Sequence, residues 1–131
     1  MIRKELSYYI SNFFTGYLSN EAGLSINTIK SYRDAFILFF RYLEESGVCK
    51  INKLKMDALN VDNVGGFLDW LEQTRGCSIN SRNQRLAALK AFCNYVIRQS
   101  PEESALCQSI LKIRVKKAPQ KSIEYLSVDA V

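Results

Sequence analysis

The sequence predicts an all-α protein, a compact bundle of four to five helices, and three observations carry that expectation. Apolar residues recur at three- and four-residue spacing along nearly the whole chain, the period of amphipathic helices and not of strands. Start and stop residues fall between the periodic stretches, with Ser25 and Asn60 or Asp62 opening helices and Gly47 and Pro101 closing them. A chain of 131 residues with 47% hydrophobic content can also bury one sizeable core.

Leu6, Ile10, Phe13, Phe14 and Tyr17 mark a first helix that ends before Gly23. The second begins at the N-cap Ser25 and carries Ile29, Tyr32, Phe36, Phe39, Phe40 and Leu43 along one face, up to Gly47. Segment 48–60 (VCKINKLKMDALN) reads as a connector. A third helix places Val64, Phe67, Leu68 and Leu71 inward, with Trp70 partly buried, and ends at Arg75-Gly76-Cys77. Gly65-Gly66 weakens it by about 1 kcal/mol per glycine relative to alanine, so close helix packing is the expected reason for them.

The fourth helix spans about Asn80 to Arg98. Leu86, Leu89, Cys93 and Val96 fall in one narrow stripe, which meets Arg82 and Arg85 when projected back toward the N-terminus. The apolar face is thus expected to turn basic where the helix leaves the core, although arginines there can also snorkel around a core edge. A short fifth helix, Glu102 to about Ile113, is expected to bury Leu106, Ile110 and Leu111. Residues 1–113 then form the helical domain. Residues 114–131 read as a basic, flexible linker around Pro119, and Ser127 opens a helix that belongs to a further domain.

Charge divides the chain unevenly. Residues 1–72 hold eight Lys/Arg against nine Asp/Glu, whereas residues 73–123 hold ten against Glu102 and Glu103 alone, a surplus of eight. A surplus concentrated on one helix and the segment after it points to a polyanion footprint, with a solvated basic face as the plain alternative.

Other chemistries are excluded by composition. Histidine is absent, so no histidine triad or imidazole base can form. No phosphate-cradling glycine motif occurs. Cys49, Cys77, Cys93 and Cys107 lack the paired spacing of a zinc site and are expected to be free, mostly buried thiols; neither metal nor cofactor is expected. No apolar run reaches the roughly 20 residues that span a bilayer, and the N-terminus has no signal-peptide cleavage site, so cytoplasmic residence is expected. No small-molecule ligand is implied.

Binding remains. Asn27, Thr28, Lys30, Ser31 and Arg33 open the second helix, and Asn80 to Arg85 open the fourth. Helix N-termini offer backbone N–H groups and the favourable dipole end to phosphates, and Arg and Asn suit base edges in the major groove. Lys116, Lys117 and Lys121 would add sequence-independent phosphate contacts. Double-stranded DNA is the expected partner.

The order LSINTIKSYRDAFILFFRYLEESG, VGGFLDWLEQTRGCSINSRNQRLAALKAFCNYV and IEYLSVDAV resembles the N-terminal core-binding domain of tyrosine recombinases, the phage-integrase family. The likeness covers nearly the whole chain, and its details are closer to transposon-borne or insertion-element members than to chromosome-dimer-resolving ones. It implies a SAM-like helical bundle forming half of a clamp around duplex DNA. The second and fourth helices would lie at the major groove, and a C-terminal domain, which should follow Val131, would do the chemistry. It places Thr28, Lys30, Ser31, Arg33, Ser81, Arg82, Asn83, Arg85 and Lys90 at the DNA and Lys116, Lys117 and Lys121 in the linker. It also implies neighbouring recombinase protomers as partners and no catalysis by this chain alone. A helical protein-interaction module with a basic face is the competing reading. A helix-turn-helix regulator is less well supported, because no short helix-turn-helix with a central glycine is visible.

Overall fold

The computed structural model describes residues 5–21, 23–47 and 54–117. Five α-helices follow one another among them: α1 (Leu6–Asn12), α2 (Ile26–Glu45), α3 (Val61–Gln73), α4 (Ile79–Gln99) and α5 (Ser104–Leu111). The expected all-α architecture is the observed one. The described residues contain no strand, only a single antiparallel bridge between Glu5 and Lys55.

Beyond Asn12 the first helix continues in the wider π form, Phe13–Glu21. Thr15 Oγ1 donates to the Ser11 carbonyl at 2.8 Å, competing with the backbone ladder, and Gly16 follows it. Both features loosen an α-helix at this point. The caps of the next helices are side-chain oxygens, each accepting from the third residue on. Ser25 accepts from the Thr28 amide at 3.2 Å, Asn60 from Asn63 at 2.8 Å and Ser78 from Ser81 at 3.1 Å. Asn60, not Asp62, therefore caps α3, and α4 starts at Ile79. After α2 the chain turns at Gly47, whose φ of 74° suits a residue without a Cβ.

Aromatic rings from the π segment and α2 converge on α4, and α2 meets α3 through a second ring pair. Phe92 meets Phe13 at 5.3 Å and Phe36 at 5.1 Å between ring centroids, both edge-on, and Phe39 meets Phe67 edge-on at 5.2 Å. Edge-to-face geometry adds to the burial of these rings, and truncating one to alanine typically costs about 3–5 kcal/mol. The α4 stripe is in place, with Leu86, Leu89, Cys93 and Val96 all fully buried. Close packing accounts for one of the paired glycines: a Cβ on Gly66 would lie 2.1 Å from the Tyr42 hydroxyl, whereas Gly65 faces open space.

Three expectations change. The described end of the connector is not merely a link, because Leu54, Met56 and Leu59 are buried around a 3₁₀ turn, Met56–Ala58. Residues Pro101–Glu103 form a 3₁₀ turn, so α5 begins at Ser104. Its buried residues are Cys107 and Ile110, while Leu106 and Leu111 are half-buried; the short helix shows the core a narrower stripe than its sequence offers.

Cys93 and Cys107 are free, buried and hydrogen-bonded to each other across α4 and α5. That bond, together with burial, pushes the Cys93 thiol far up, and the same bond draws Cys107 down against its own burial. Cys77 is free and half-buried, and Cys49 lies outside the described residues. No described helix is long and apolar enough to cross a membrane.

Candidate nucleic-acid interface

The first turns of α4 and the segment after α5 form one surface. Asn83 Nδ2 donates to the Lys116 carbonyl at 2.7 Å, and the Lys116 amide donates back to Asn83 Oδ1 at 3.0 Å. Two turns further along α4, Lys90 Nζ donates to the Ile113 carbonyl. The two attachments are seven residues apart on the helix, about 10 Å at 1.5 Å per residue. They are three residues apart on the segment, about 10 Å in an extended chain. Residues 113–116 therefore run extended and antiparallel to α4. The flexible linker expected from residue 114 is corrected here: as far as Lys116 it is tied to the helix.

Arg82 is the larger surprise. Its stripe position was expected to mark where α4 leaves the core, yet only 7% of it is exposed. Its Nη1 donates to Asn83 Oδ1 at 2.9 Å, and its Nε stands 3.7 Å from Glu72 Oε2 on α3. The same oxygen pairs with Lys116 Nζ at 2.9 Å. A counter-charge from another helix lets the arginine stay inside.

Arg85 is half-buried; its Nε is inside without a hydrogen-bond partner. Ser81 is the cap partner of Ser78, and their hydroxyls are 3.1 Å apart. Lys112, Arg114 and Lys117 are exposed. Lys121 lies outside the described residues.

The α2 group is elsewhere. Lys30 and Arg33 are exposed, Ser31 is half-buried, and the half-buried Thr28 bonds its Oγ1 to Ser25 Oγ at 3.0 Å. Tyr32 faces the same groove as Asn94 and Arg98, which sets this part of α2 beside the C-terminal half of α4. From Arg82 to Asn94 is twelve residues, about 18 Å along the helix axis. The structure thus gathers Ser81, Arg82, Asn83 and Lys116 at the start of α4, with Lys90 two turns on, and leaves Thr28, Lys30, Ser31 and Arg33 toward its other end.

The groove on the α2 side, about 560 Å³, has no carboxylate in its lining. Arg98 there donates to the Tyr17 hydroxyl and lies 4.9 Å over its ring. Among the described residues no group of His, Cys, Asp or Glu could hold a metal ion. Glu72 is the charged member of this surface that the sequence does not reveal. It sits in an ordinary helix end, LDWLEQ, and its partners are 10 and 44 residues away, beyond any local pattern.

Comparison with known proteins adds the lineage of this arrangement. The family described as phage integrase, N-terminal SAM-like domain, matches residues 12–100. Two Sinorhizobium fredii proteins that carry the name integrase/recombinase, y4rC and y4rD, are 32% and 30% identical over 129 residues. Each alignment covers 96% of this chain but only 39% and 46% of those proteins. The tyrosine recombinase XerC of Caldanaerobacter subterraneus is 26% identical over 118 residues, 75% of this chain and 33% of that protein. The chain spans less than half the length of each relative. No solved structure matches it.

Proposed function

The chain belongs to the phage integrase family through its N-terminal SAM-like domain, and we propose that it binds duplex DNA as the core-binding half of a site-specific tyrosine recombinase. One observation carries the reading: the segment 113–116 is laid along the start of α4. Because of it, the basic surplus of the C-terminal half forms a surface instead of being scattered along a tail. That surface offers phosphates Lys90, Lys116 and Lys117, with Arg114 beside them and Lys121 to follow. Arg85 adds a half-buried guanidinium to that surface, whose charge a phosphate or base edge would meet.

Ser81 and Thr28 stand at capped helix N-termini, where a hydroxyl and the helix dipole both favour an anion. With Ser31, Lys30 and Arg33 the second patch, beside the C-terminal half of α4, would reach a further stretch of the same backbone. Two patches on separate helices suit a clamp on a rod-like polyanion. Arg82 and Asn83 serve it from behind, by holding the segment. Strand cleavage and joining, for integration or transposition, belong in this reading to a C-terminal catalytic domain, and neighbouring protomers assemble on the same DNA.

The competing reading, a helical module for an acidic protein partner, shares the charge and not the geometry. Anisotropy titrations of a labelled 30-base-pair duplex, with heparin-free acidic polypeptide as competitor, separate the two. The DNA reading expects saturable duplex binding that polyglutamate displaces poorly. Equal displacement by polyglutamate and by unlabelled duplex would favour the protein partner.

A further inference from the structure

Glu72 is the acidic residue at the centre of this basic surface, and its position is informative. Its carboxylate takes Lys116 Nζ at 2.9 Å and faces Arg82 Nε at 3.7 Å with the same oxygen. The two cations differ in access. Arg82 is enclosed, whereas the Lys116 side chain is 51% exposed and can exchange its partner. The Lys116 backbone is held independently, by both halves of the Asn83 amide. The side chain can therefore change partner while the main chain stays fixed.

We propose that Glu72 is an internal phosphate surrogate: in the DNA-free chain it occupies the Lys116 ammonium that a backbone phosphate takes when the duplex arrives. The inference rests on the DNA-binding reading above and deepens it by assigning opposite roles to two neighbours. Asn83 pre-positions the segment and so favours binding. Glu72 holds one cation back, and its charge opposes the approach of the polyanion, so it restrains binding. An exposed pair of this kind is weak and salt-screened, which suits a contact meant to be exchanged. Arg82 keeps the Glu72 carboxylate in place after Lys116 has left, so the released acid is not stranded.

The opposite signs make the test. In the 131-residue chain, Glu72→Gln should bind a duplex roughly two- to fivefold more tightly at low salt, because a repulsive charge near the surface is gone. Its plot of log K against log[salt] should keep nearly the parent's slope, because Lys116 neutralises one phosphate in both chains. Asn83→Ala should bind more weakly, and the Lys116 amide, which its bond to Asn83 should slow in the parent chain, should exchange faster with deuterium. In a Lys116→Ala background the part of the gain that comes from freeing Lys116 should disappear, leaving a smaller gain from the lost repulsion. Where Glu72→Gln lowers the melting temperature too far for a fair comparison, Lys116→Ala alone decides. It should flatten the salt slope by about one, and an unchanged slope and affinity would overturn the proposal. Parent chain that binds DNA while Glu72→Gln binds equally or more weakly, at similar melting temperature, overturns the surrogate role alone. No duplex binding by the parent chain near 50 mM salt overturns the DNA reading itself, and the surrogate role with it.

Discussion

Arg82 and Glu72 join α4 to α3 through an ion pair of 3.7 Å in which the arginine is almost wholly enclosed. An enclosed guanidinium is a structural member before it is a reader of DNA. Arg82→Ala is therefore expected to destabilise the fold by about 1–3 kcal/mol, less than a fully buried pair because Lys116 still neutralises Glu72. Arg85→Ala should cost less, about 0.5–1 kcal/mol, since it is half-buried and has no ion pair to break. Urea denaturation of the two single variants measures both. Equal costs would contradict the division of roles.

The paired glycines of α3 should respond with opposite signs. Gly65→Ala meets open space and gains helix propensity, stabilising by about 0.5–1 kcal/mol. Gly66→Ala places its Cβ 2.1 Å from the Tyr42 hydroxyl and 3.0 Å from the ring carbon bearing it, so the tyrosine must swing away. A net loss of about 1–2 kcal/mol is expected, in the range typical of overpacking. Tyr42→Phe removes the closer clash and should recover part of that loss, which a double-mutant cycle on thermal melting detects.

A third expectation concerns the first helix. Tyr9 and Ser100 share a hydrogen bond of 2.7 Å in the interior, tying α1 to the junction of α4 and α5. Tyr9→Phe leaves the serine hydroxyl buried without its partner and should cost about 1–2 kcal/mol. Adding Ser100→Ala should cost little more, because the orphaned group goes with it. A double variant as unstable as the sum of the two singles would show that the bond itself contributes nothing.

Much of this fold was legible in the sequence where the information is local. The caps Ser25 and Asn60, the stop at Gly47 and the α4 stripe follow from spacing and residue chemistry. The Gly66 packing was readable as an unexplained cost, though not its partner Tyr42. What escaped depends on distant partners. Arg82 was read as the point where α4 leaves the core because the carboxylate that holds it belongs to another helix. The segment after Ile113 was read as loose because its anchors, Asn83 and Lys90, are 33 and 23 residues back along the chain. Asn83 and Lys90 read from sequence as DNA-facing donors, and their bonds to the main chain of residues 113 and 116 depend on a segment far along the chain.

The two basic patches should contribute separately to DNA affinity. Lys30→Ala with Arg33→Ala removes exposed charges near the start of α2, without any hydrogen bond or ion pair described for them, so stability should change by less than about 0.5 kcal/mol. Each lost phosphate contact should flatten the salt slope by about one, giving a change near two for the pair. Arg85→Ala should add its loss independently, since the patches are too far apart to share a partner. Non-additive losses would mean that the two groups do not face one duplex together.

The central claim, that the segment laid along α4 forms a phosphate-binding surface, is tested most directly by the salt dependence of duplex binding. With five to seven phosphates engaged, log K against log[salt] should fall linearly with a slope of roughly −4 to −6. A slope near zero, or no binding near 50 mM salt, would contradict the account.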